Sequence, residues 1–203
     1  MKKITYIIFR YLTSADIFNI YKPTGTEIGG GGQSYIDLPT KTVPVESWGE
    51  FFENATSVFC DTREQGPSWD FPIHSIGLAS TRELKVYQRR PQSVCISSQR
   101  ITSQQENRVD AWRPENGFPS PSNSHDRSAD PEGLLVFLVR TLDNEFWAGW
   151  SQSSAPFVDP ALKDMLSDMF NPNKEEGYAG FIRVRGDLFL DTNSKERPFR
   201  SHL

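Results

Sequence analysis

The sequence has few cysteines, few histidines and no long apolar run, and each absence argues against a class of protein. Two cysteines, Cys60 and Cys95, are too few for a disulfide-rich secreted domain, so we expect reduced thiols in a cytoplasmic protein. Three scattered histidines and no zinc-type spacing of Cys or His argue against a zinc site. The longest apolar run, 134–139, is too short to span a membrane, and Arg10 interrupts the apolar start, so we expect no secretory signal.

Basic residues are also scarce for a chain that would coat nucleic acid without selectivity. The formal net charge is −4, whereas such proteins have a basic surface. The segment from Ser80 to Arg113 is the exception, because it has seven basic and three acidic residues, a charge of +4 that leaves −8 for the rest of the chain. This polarised distribution is compatible with a local surface that binds DNA specifically.

The sequence is rich in aromatic, glycine and proline residues, with 14 Phe, 14 Gly and 14 Pro. This composition implies many turns and few long helices, which favours a fold rich in β-strands. The apolar pattern predicts short strands at 17–21, 35–38, 57–60, 84–87, 93–97, 134–141, 146–150, 180–184 and 188–190. The stretch 4–12 fits a helical stripe and a strand equally well.

Two short helices complete the predicted elements. One contains Trp48, Phe51 and Phe52, whose spacing makes one apolar face. The other runs from about Pro160 to Phe170 after Asp159 as its N-cap. Seven or more short strands with about two helices predict a mostly β, α+β fold. This fold would be a β-barrel or closed sheet, in a single domain over residues 1–203.

One set of residues is a candidate for catalysis. Asp70, followed by Glu83 and Lys85, has the order in which many nucleases hold Mg²⁺ and activate water. Two carboxylates ligate the metal, and the lysine polarises the nucleophile. A Glu-x-Lys spacing occurs by chance in most chains of this size, so an ordinary solvent-facing strand is the alternative interpretation.

Two segments are candidates for ligand binding. The glycines 29–32 lack the Lys-Ser/Thr of a phosphate-binding loop, so they form either a flexible connection or a mobile arm that closes on a ligand. In the stretch from Ser97 to Arg113, fourteen of 17 residues have side chains that hydrogen-bond. Arginine reads guanine, Gln and Asn read adenine, and carboxylates accept from the cytosine amino group. This stretch is therefore either a base-reading segment or a solvated hairpin loop.

At this stretch the sequence begins to resemble a known family. The run Glu106 to Trp112, then a proline-rich loop and the run Asp130 to Phe137, resemble the N-terminal effector domain of EcoRII-type restriction endonucleases. Earlier in the chain, the run Phe18 to Lys22, a Thr/Gly-rich turn, and Gly31 to Gln33 before a strand that ends at Pro39 resemble the same family in the same order. That family shares a DNA-binding pseudobarrel with the plant B-three transcription-factor domain.

The resemblance implies a bacterial, sequence-specific DNA-binding domain of a restriction-modification system. Two arms would grip duplex DNA in the major groove: a first arm over about residues 22–35 and a second arm over about residues 97–113. The nuclease domain would lie elsewhere in the same polypeptide, and this chain would need no cofactor and have no catalytic site. The residues implied in DNA binding are Lys22, Gly32, Gln33, Asp37, Arg89, Arg90, Gln99, Arg100, Thr102, Gln104, Glu106, Asn107, Arg108 and Arg113.

Within the second arm, Glu106 and Arg108 match the family in residue type, whereas Gln104 and Asn107 replace basic residues. The DNA sequence that is recognised therefore need not be the same. Arg89, Arg90 and Arg113 flank the arm and would contact phosphates. Lys22 would contact either a phosphate or a base, and the resemblance implies a base, because the family places a lysine there.

Two other functions stay open on the sequence. A stand-alone Mg²⁺-dependent nuclease would use Asp70, Glu83 and Lys85. A β-sandwich that binds proteins or sugars would use Trp147 and Trp150 as an exposed aromatic platform.

Overall fold

The computed structural model of the chain describes residues 1–13, 16–17, 20, 35–53, 66–97, 109–119, 134–152, 179–195 and 197–201. The strands in these ranges are β1 (Lys2–Tyr11), β2 (Ile36–Pro39), β3 (Ser68–Ser75), β4 (Thr81–Arg90), β5 (Ser93–Ile96), β6 (Leu134–Thr141), β7 (Phe146–Gln152), β8 (Ala179–Arg183), β9 (Leu188–Leu190) and β10 (Phe199–Ser201). The described ranges also contain one helix, α1 (Val45–Phe51), and two 3₁₀ turns, Asp110–Trp112 and Pro114–Asn116. Asp16, Ile17 and Ile20 have helical backbones as well.

All ten strands belong to one mixed sheet in the order β10-β9-β1-β6-β7-β3-β4-β5-β2, and β8 also pairs with β1. The pairings are antiparallel except that of β3 with β7, which is parallel at His74 and Ser75. The prediction of a mostly β fold is confirmed. The prediction of a barrel or closed sheet is wrong for the described strands, because β10 and β2 lie at opposite ends of the order.

The middle of the sheet is buried on both faces. Every residue of β6 is buried, and successive side chains enter two separate apolar clusters, with Leu134 and Leu138 in one and Leu135 and Val139 in the other. Because neither face of β6 meets solvent, this strand is a continuous apolar run in the sequence instead of an alternating one.

Helix α1 packs aromatic side chains onto the first of these clusters. Trp48, Phe51 and the following Phe52 are buried, and Trp48 stacks on Trp69 of β3 with 6.4 Å between ring centroids. The ring of Phe52 lies 4.3 Å from that of Phe71, also on β3. The apolar face predicted for this helix is confirmed, and its burial against β3 stabilises the half of the sheet that leads to β2.

Seven predicted strands agree with β2 and β4 to β9 within a few residues. The ambiguous stretch 4–12 is strand β1. The strand prediction at 17–21 is wrong, because Ile17 and Ile20 have helical backbones and the Ile17 N–H donates to the Thr13 carbonyl at 3.0 Å. The predicted strand at 57–60 and the predicted helix at 160–170 lie outside the described residues.

Strands β3 and β10 are absent from the predicted strands. In β3 the reason is Pro72, which lacks the N–H of a regular ladder. The proline is accommodated because β7 pairs with β3 only at His74 and Ser75, so the described partner of Pro72 is Glu83 on β4 alone. Pro72 therefore lies in a stretch of β3 whose described ladder partner is on one side, in β4.

Candidate nucleic-acid interface

Of the residues predicted to bind DNA, the structure describes Asp37, Arg89, Arg90 and Arg113. The others lie outside the described residues, namely Lys22, Gly32, Gln33, Gln99, Arg100, Thr102, Gln104, Glu106, Asn107 and Arg108. The strands next to the two arms are described, so the structure shows where the arms meet the sheet.

The first arm ends and the second arm begins on neighbouring strands. Tyr35, the last residue of the first arm, directly precedes β2, and Ser97, the first residue of the second arm, directly follows β5. Ile36 and Ile96 are direct partners in the antiparallel β2–β5 ladder. Such partners have Cα atoms about 4.5–5.5 Å apart. The register therefore places Tyr35 and Ser97, which border these two segments, at the same end of the β2–β5 ladder.

The far end of the second arm is anchored in the core. Val109, Ala111 and Trp112 are buried. The Ala111 N–H donates to the Ser75 hydroxyl at 3.0 Å, and the Trp112 indole N–H donates to the Gly149 carbonyl at 2.8 Å. These residues belong to the run that resembles the restriction-enzyme family, and their contacts give them a structural role, which is to hold the end of the arm against β3 and β7.

A buried carboxylate reinforces this anchor. Asp110 is only 6% exposed, and its Oδ2 accepts a hydrogen bond from Arg82 Nε at 2.9 Å. Its Oδ1 lies 3.0 Å from Arg113 Nε, and Arg113 also reaches Glu115 at 3.5 Å. The guanidinium of Arg113 is therefore held by two carboxylates of the protein, which leaves it less suited to a phosphate than the sequence predicts.

Both ends of the second arm lie along β4. The Ser97 N–H donates to the Lys85 carbonyl at 2.9 Å, and Asp110 contacts Arg82, which lies three residues before Lys85 on the same strand. At about 3.3 Å per residue, these two attachment points are about 10 Å apart. The described residues on either side of 98–108 are therefore attached to the sheet at neighbouring points.

Two adjacent arginines at the end of β4 have different surroundings. The Cζ atom of Arg89 lies 4.5 Å from the centroid of the Tyr35 ring, so its guanidinium covers the last residue of the first arm. Arg90 is exposed to solvent. Of the two phosphate contacts predicted here, one therefore packs on the protein and the other faces outwards.

Asp37 of β2 is a partly buried carboxylate close to these arginines. Burial raises the pKa of Asp37, and Asp16 raises it further, whereas Arg89 foremost, with Arg10 and Arg90, opposes the rise. Its Oδ1 is buried and has no hydrogen-bond partner within the described part of the chain. A carboxylate with a shifted pKa among arginines is a candidate contact for a ligand.

A buried ion pair precedes the first arm. Arg10 Nη2 of β1 lies 3.0 Å from Asp16 Oδ2, and both side chains are largely buried. The Thr13 N–H donates to Asp16 at 2.9 Å, and the Asp16 N–H donates to the Thr13 hydroxyl at 3.2 Å. This reciprocal pattern resembles a capping box, which starts a helical turn. The Thr-x-x-Asp spacing is visible in the sequence, and it indicates a helical turn at 17–21 instead of the predicted strand.

The catalytic candidates Asp70, Glu83 and Lys85 lie on one face of β3 and β4. Asp70 is the direct partner of Lys85, and Glu83 is two residues from Lys85, so all three share the side of the sheet opposite Leu84. Asp70 and Glu83 are exposed. Among the described residues, no group of three His, Cys, Asp or Glu side chains is arranged to hold a metal ion.

The tryptophans proposed as an exposed platform are both partly buried. The Trp147 ring packs on His74 in a tilted arrangement with 4.7 Å between ring centroids, and its indole N–H donates to Glu145 at 2.9 Å. Trp150 packs on the first core cluster and makes an edge contact with Phe118 at 5.9 Å. Their contacts are those of side chains that complete the core, so these two residues do not form an exposed platform.

The structure adds Tyr35, Arg82 and Asp110 to the residues that shape this surface. The Tyr35 ring packs against the guanidinium of Arg89. Asp110, in the first 3₁₀ turn, forms an ion pair with Arg82 of β4. Each contact joins residues that are distant in the sequence, so no local spacing reveals it. In the sequence, Asp110 stands out as a carboxylate within the otherwise apolar run Val109 to Trp112. A carboxylate in such a run favours a buried ion pair.

Comparison of the chain with models of known protein families and with curated proteins finds no match. Across the ranges that the structure describes, no helix has the length and apolar character needed to cross a membrane.

Proposed function

We propose that this chain is a sequence-specific DNA-binding domain that recognises a short site in double-stranded DNA through the major groove. The first and second arms read bases, with Glu106 and Arg108 as central readers, and Arg90 contacts phosphate. From the resemblance we also propose that the open sheet is a pseudobarrel and that a nuclease domain in the same polypeptide cuts the DNA. The parent protein would then be a cytoplasmic type II restriction endonuclease of bacteria, and this chain would act without a cofactor.

The observation that supports the proposal best is the pairing of Ile36 with Ile96. Through this pair, the end of the first arm and the start of the second are neighbours at the β2 end of the sheet. Two polar segments that leave a sheet at one place can approach one duplex together. Attachment of the arms at opposite ends of the sheet would have argued against a shared ligand.

The charges nearby also favour DNA. Arg89 contacts the last residue of the first arm, and the exposed Arg90 follows it. Arginines at the flank of a base-reading surface supply the phosphate contacts that fix register and orientation on the duplex. The face next to the arms therefore combines positive charge with the side-chain types that read base edges.

Selection of bound sequences from a pool of randomised duplexes tests the proposal. We expect one enriched motif, bound with a steep salt dependence because phosphate contacts release counterions. A variant with Glu106 and Arg108 both changed to Ala is the control, and it should enrich no motif while keeping the circular dichroism spectrum of the wild type. A wild-type selection without an enriched motif would remove the proposal.

A second candidate function is a Mg²⁺-dependent nuclease, because Asp70 lies directly opposite Lys85 and shares a face with Glu83. Incubation of plasmid DNA with the chain and Mg²⁺ or Mn²⁺ separates the two candidates. The DNA-binding proposal predicts no cleavage. Specific cleavage that is lost in Glu83→Ala but kept in Glu115→Ala, which changes an exposed carboxylate elsewhere, would replace it with the nuclease.

A further inference from the structure

Arg89 has an unusual place in the sheet. Strands β4 and β5 pair Tyr87 with Cys95 and Gln88 with Val94, but the next pair is Arg90 with Ser93. Arg89 is therefore the extra residue of a β-bulge and has no position opposite it in the β5 ladder. A bulge bends its strand and re-aims a side chain, and bulges are frequent beside functional sites.

The bulge residue is aimed at the first arm. The Arg89 guanidinium lies over the Tyr35 ring at 4.5 Å, and the same ring makes an edge contact with Tyr87 at 6.0 Å. Tyr87 is itself buried, and burial, followed by a hydrogen bond with Tyr35, raises the pKa of Tyr87. Two residues of β4 thus hold the last residue of the first arm, next to the ladder from which the second arm departs.

We propose that Arg89 is a positioning residue, which fixes the end of the first arm relative to the second arm through the Tyr35 ring and does not itself neutralise a phosphate. This inference rests on the proposed function and refines it. A designed or natural binding site needs its reading groups held within about 0.5 Å of the productive geometry. An arm whose last residue shifts would therefore lose discrimination between bases before it loses attraction to the DNA backbone.

Arg89→Lys separates positioning from phosphate contact. Lysine keeps the positive charge that a phosphate needs, but it lacks the flat guanidinium that stacks on a ring. We expect Arg89→Lys to weaken binding to the selected duplex by about tenfold. Its affinity for a scrambled duplex and the slope of its salt dependence should equal those of the wild type, since the charge is retained.

Arg90 provides the matched control, because it is the next residue and is exposed. Arg90→Ala should weaken binding to both duplexes alike and flatten the salt slope by about one unit, as expected for a phosphate contact. Fluorescence anisotropy titrations of each variant at two salt concentrations supply all of these values.

Variants of Tyr35 test the same stack from its other side. Tyr35→Leu removes the ring and should reproduce the loss seen in Arg89→Lys. Tyr35→Phe keeps the ring and removes only the hydroxyl that bonds Tyr87, so it should lose less specificity than Tyr35→Leu. Should Tyr35→Leu fail to fold, as judged by thermal unfolding, the Arg89→Lys result decides alone. If Arg89→Lys binds both duplexes as the wild type does, the inference is overturned. An Arg89→Ala profile like that of Arg90→Ala would then assign Arg89 as a phosphate contact.

The result also distinguishes the inference from the proposed function. A wild-type chain that enriches no duplex overturns both of them. A wild-type chain that enriches a duplex which Arg89→Lys binds equally well overturns the inference alone.

Discussion

The centre of the sheet and its β2 end differ in what their two faces touch. In β6 both faces are buried in apolar clusters, whereas in β4 the residues Leu84 and Val86 enter the core and Glu83 faces solvent. Central strands of this kind contribute most to the free energy of unfolding. Half-exposed strands offer positions where charged side chains serve binding at little cost to stability. Substitutions in the two regions should therefore separate effects on unfolding from effects on the proposed DNA binding.

The largest effect is expected at the centre, from Phe137→Ala in β6. Phe137 is 2% exposed and packs on Phe199 with 5.0 Å between ring centroids. Its removal leaves a cavity, and such changes cost about 3–5 kcal/mol of the free energy of unfolding. Urea denaturation measures the loss. Leu142→Ala, in the exposed turn after β6, is the control and should change stability by less than about 0.5 kcal/mol.

A smaller effect is expected from Asp110→Asn at the anchor of the second arm. The change removes the charge that accepts a hydrogen bond from Arg82 and forms an ion pair with Arg113, and a hydrogen bond to a charged group contributes about 1.5–3 kcal/mol. Glu115→Gln is the matched control, because the side chain of Glu115 is 61% exposed and its ion pair in the described part of the chain is with Arg113, at 3.5 Å. Equal urea midpoints for the two variants would contradict the anchoring role of Asp110.

The smallest effect concerns the pH dependence of stability at Asp37. Burial, the largest cause, raises the pKa of Asp37 in the folded chain, so the folded state holds this proton to higher pH than the unfolded state does. The free energy of unfolding should therefore fall as pH rises through the interval that starts at about 3.9, the ordinary value for aspartate, and ends at the raised folded pKa. Asp37→Asn should remove that contribution and lose less stability over the same interval.

Asp143, in the turn between β6 and β7, should have the opposite effect on the pH dependence of the free energy of unfolding. A hydrogen bond from Lys2, followed by one from Thr141, lowers the pKa of Asp143. Its contribution to stability is present above the unfolded pKa and is lost as pH falls through the folded value. Asp143→Asn should thus be less stable than the wild type at neutral pH, and identical pH profiles for the two Asn variants would contradict both assignments.

The same two regions show how much of the fold could be predicted from the sequence. Strands with one exposed face, such as β4, can be predicted from the alternation of apolar and polar residues. Strand β1 stays ambiguous because it lies between β6 on one side and β8 and β9 on the other, and Ile7, Ile8 and Phe9 are all buried. With both faces apolar, the period of two that identifies a strand disappears.

The candidate interface could be predicted only in part, for a related reason. Residue types alone identify the polar second arm and the glycine-rich first arm. Their proximity depends on the pairing of β2 with β5, and the stacking of Arg89 depends on a bulge in β4. Strand partners and register arise from contacts between distant parts of the chain, so neither is encoded in a local pattern.

The proposed function depends most on base reading by the second arm, and one competition titration tests this role directly. Arg108→Ala and Arg90→Ala are each titrated against the selected duplex and a scrambled duplex at two salt concentrations. We predict that Arg108→Ala loses about 1–3 kcal/mol of binding free energy on the selected duplex and much less on the scrambled one. Arg90→Ala should instead weaken both equally and flatten the salt slope. Identical profiles for the two variants would contradict the claim that the second arm reads DNA sequence.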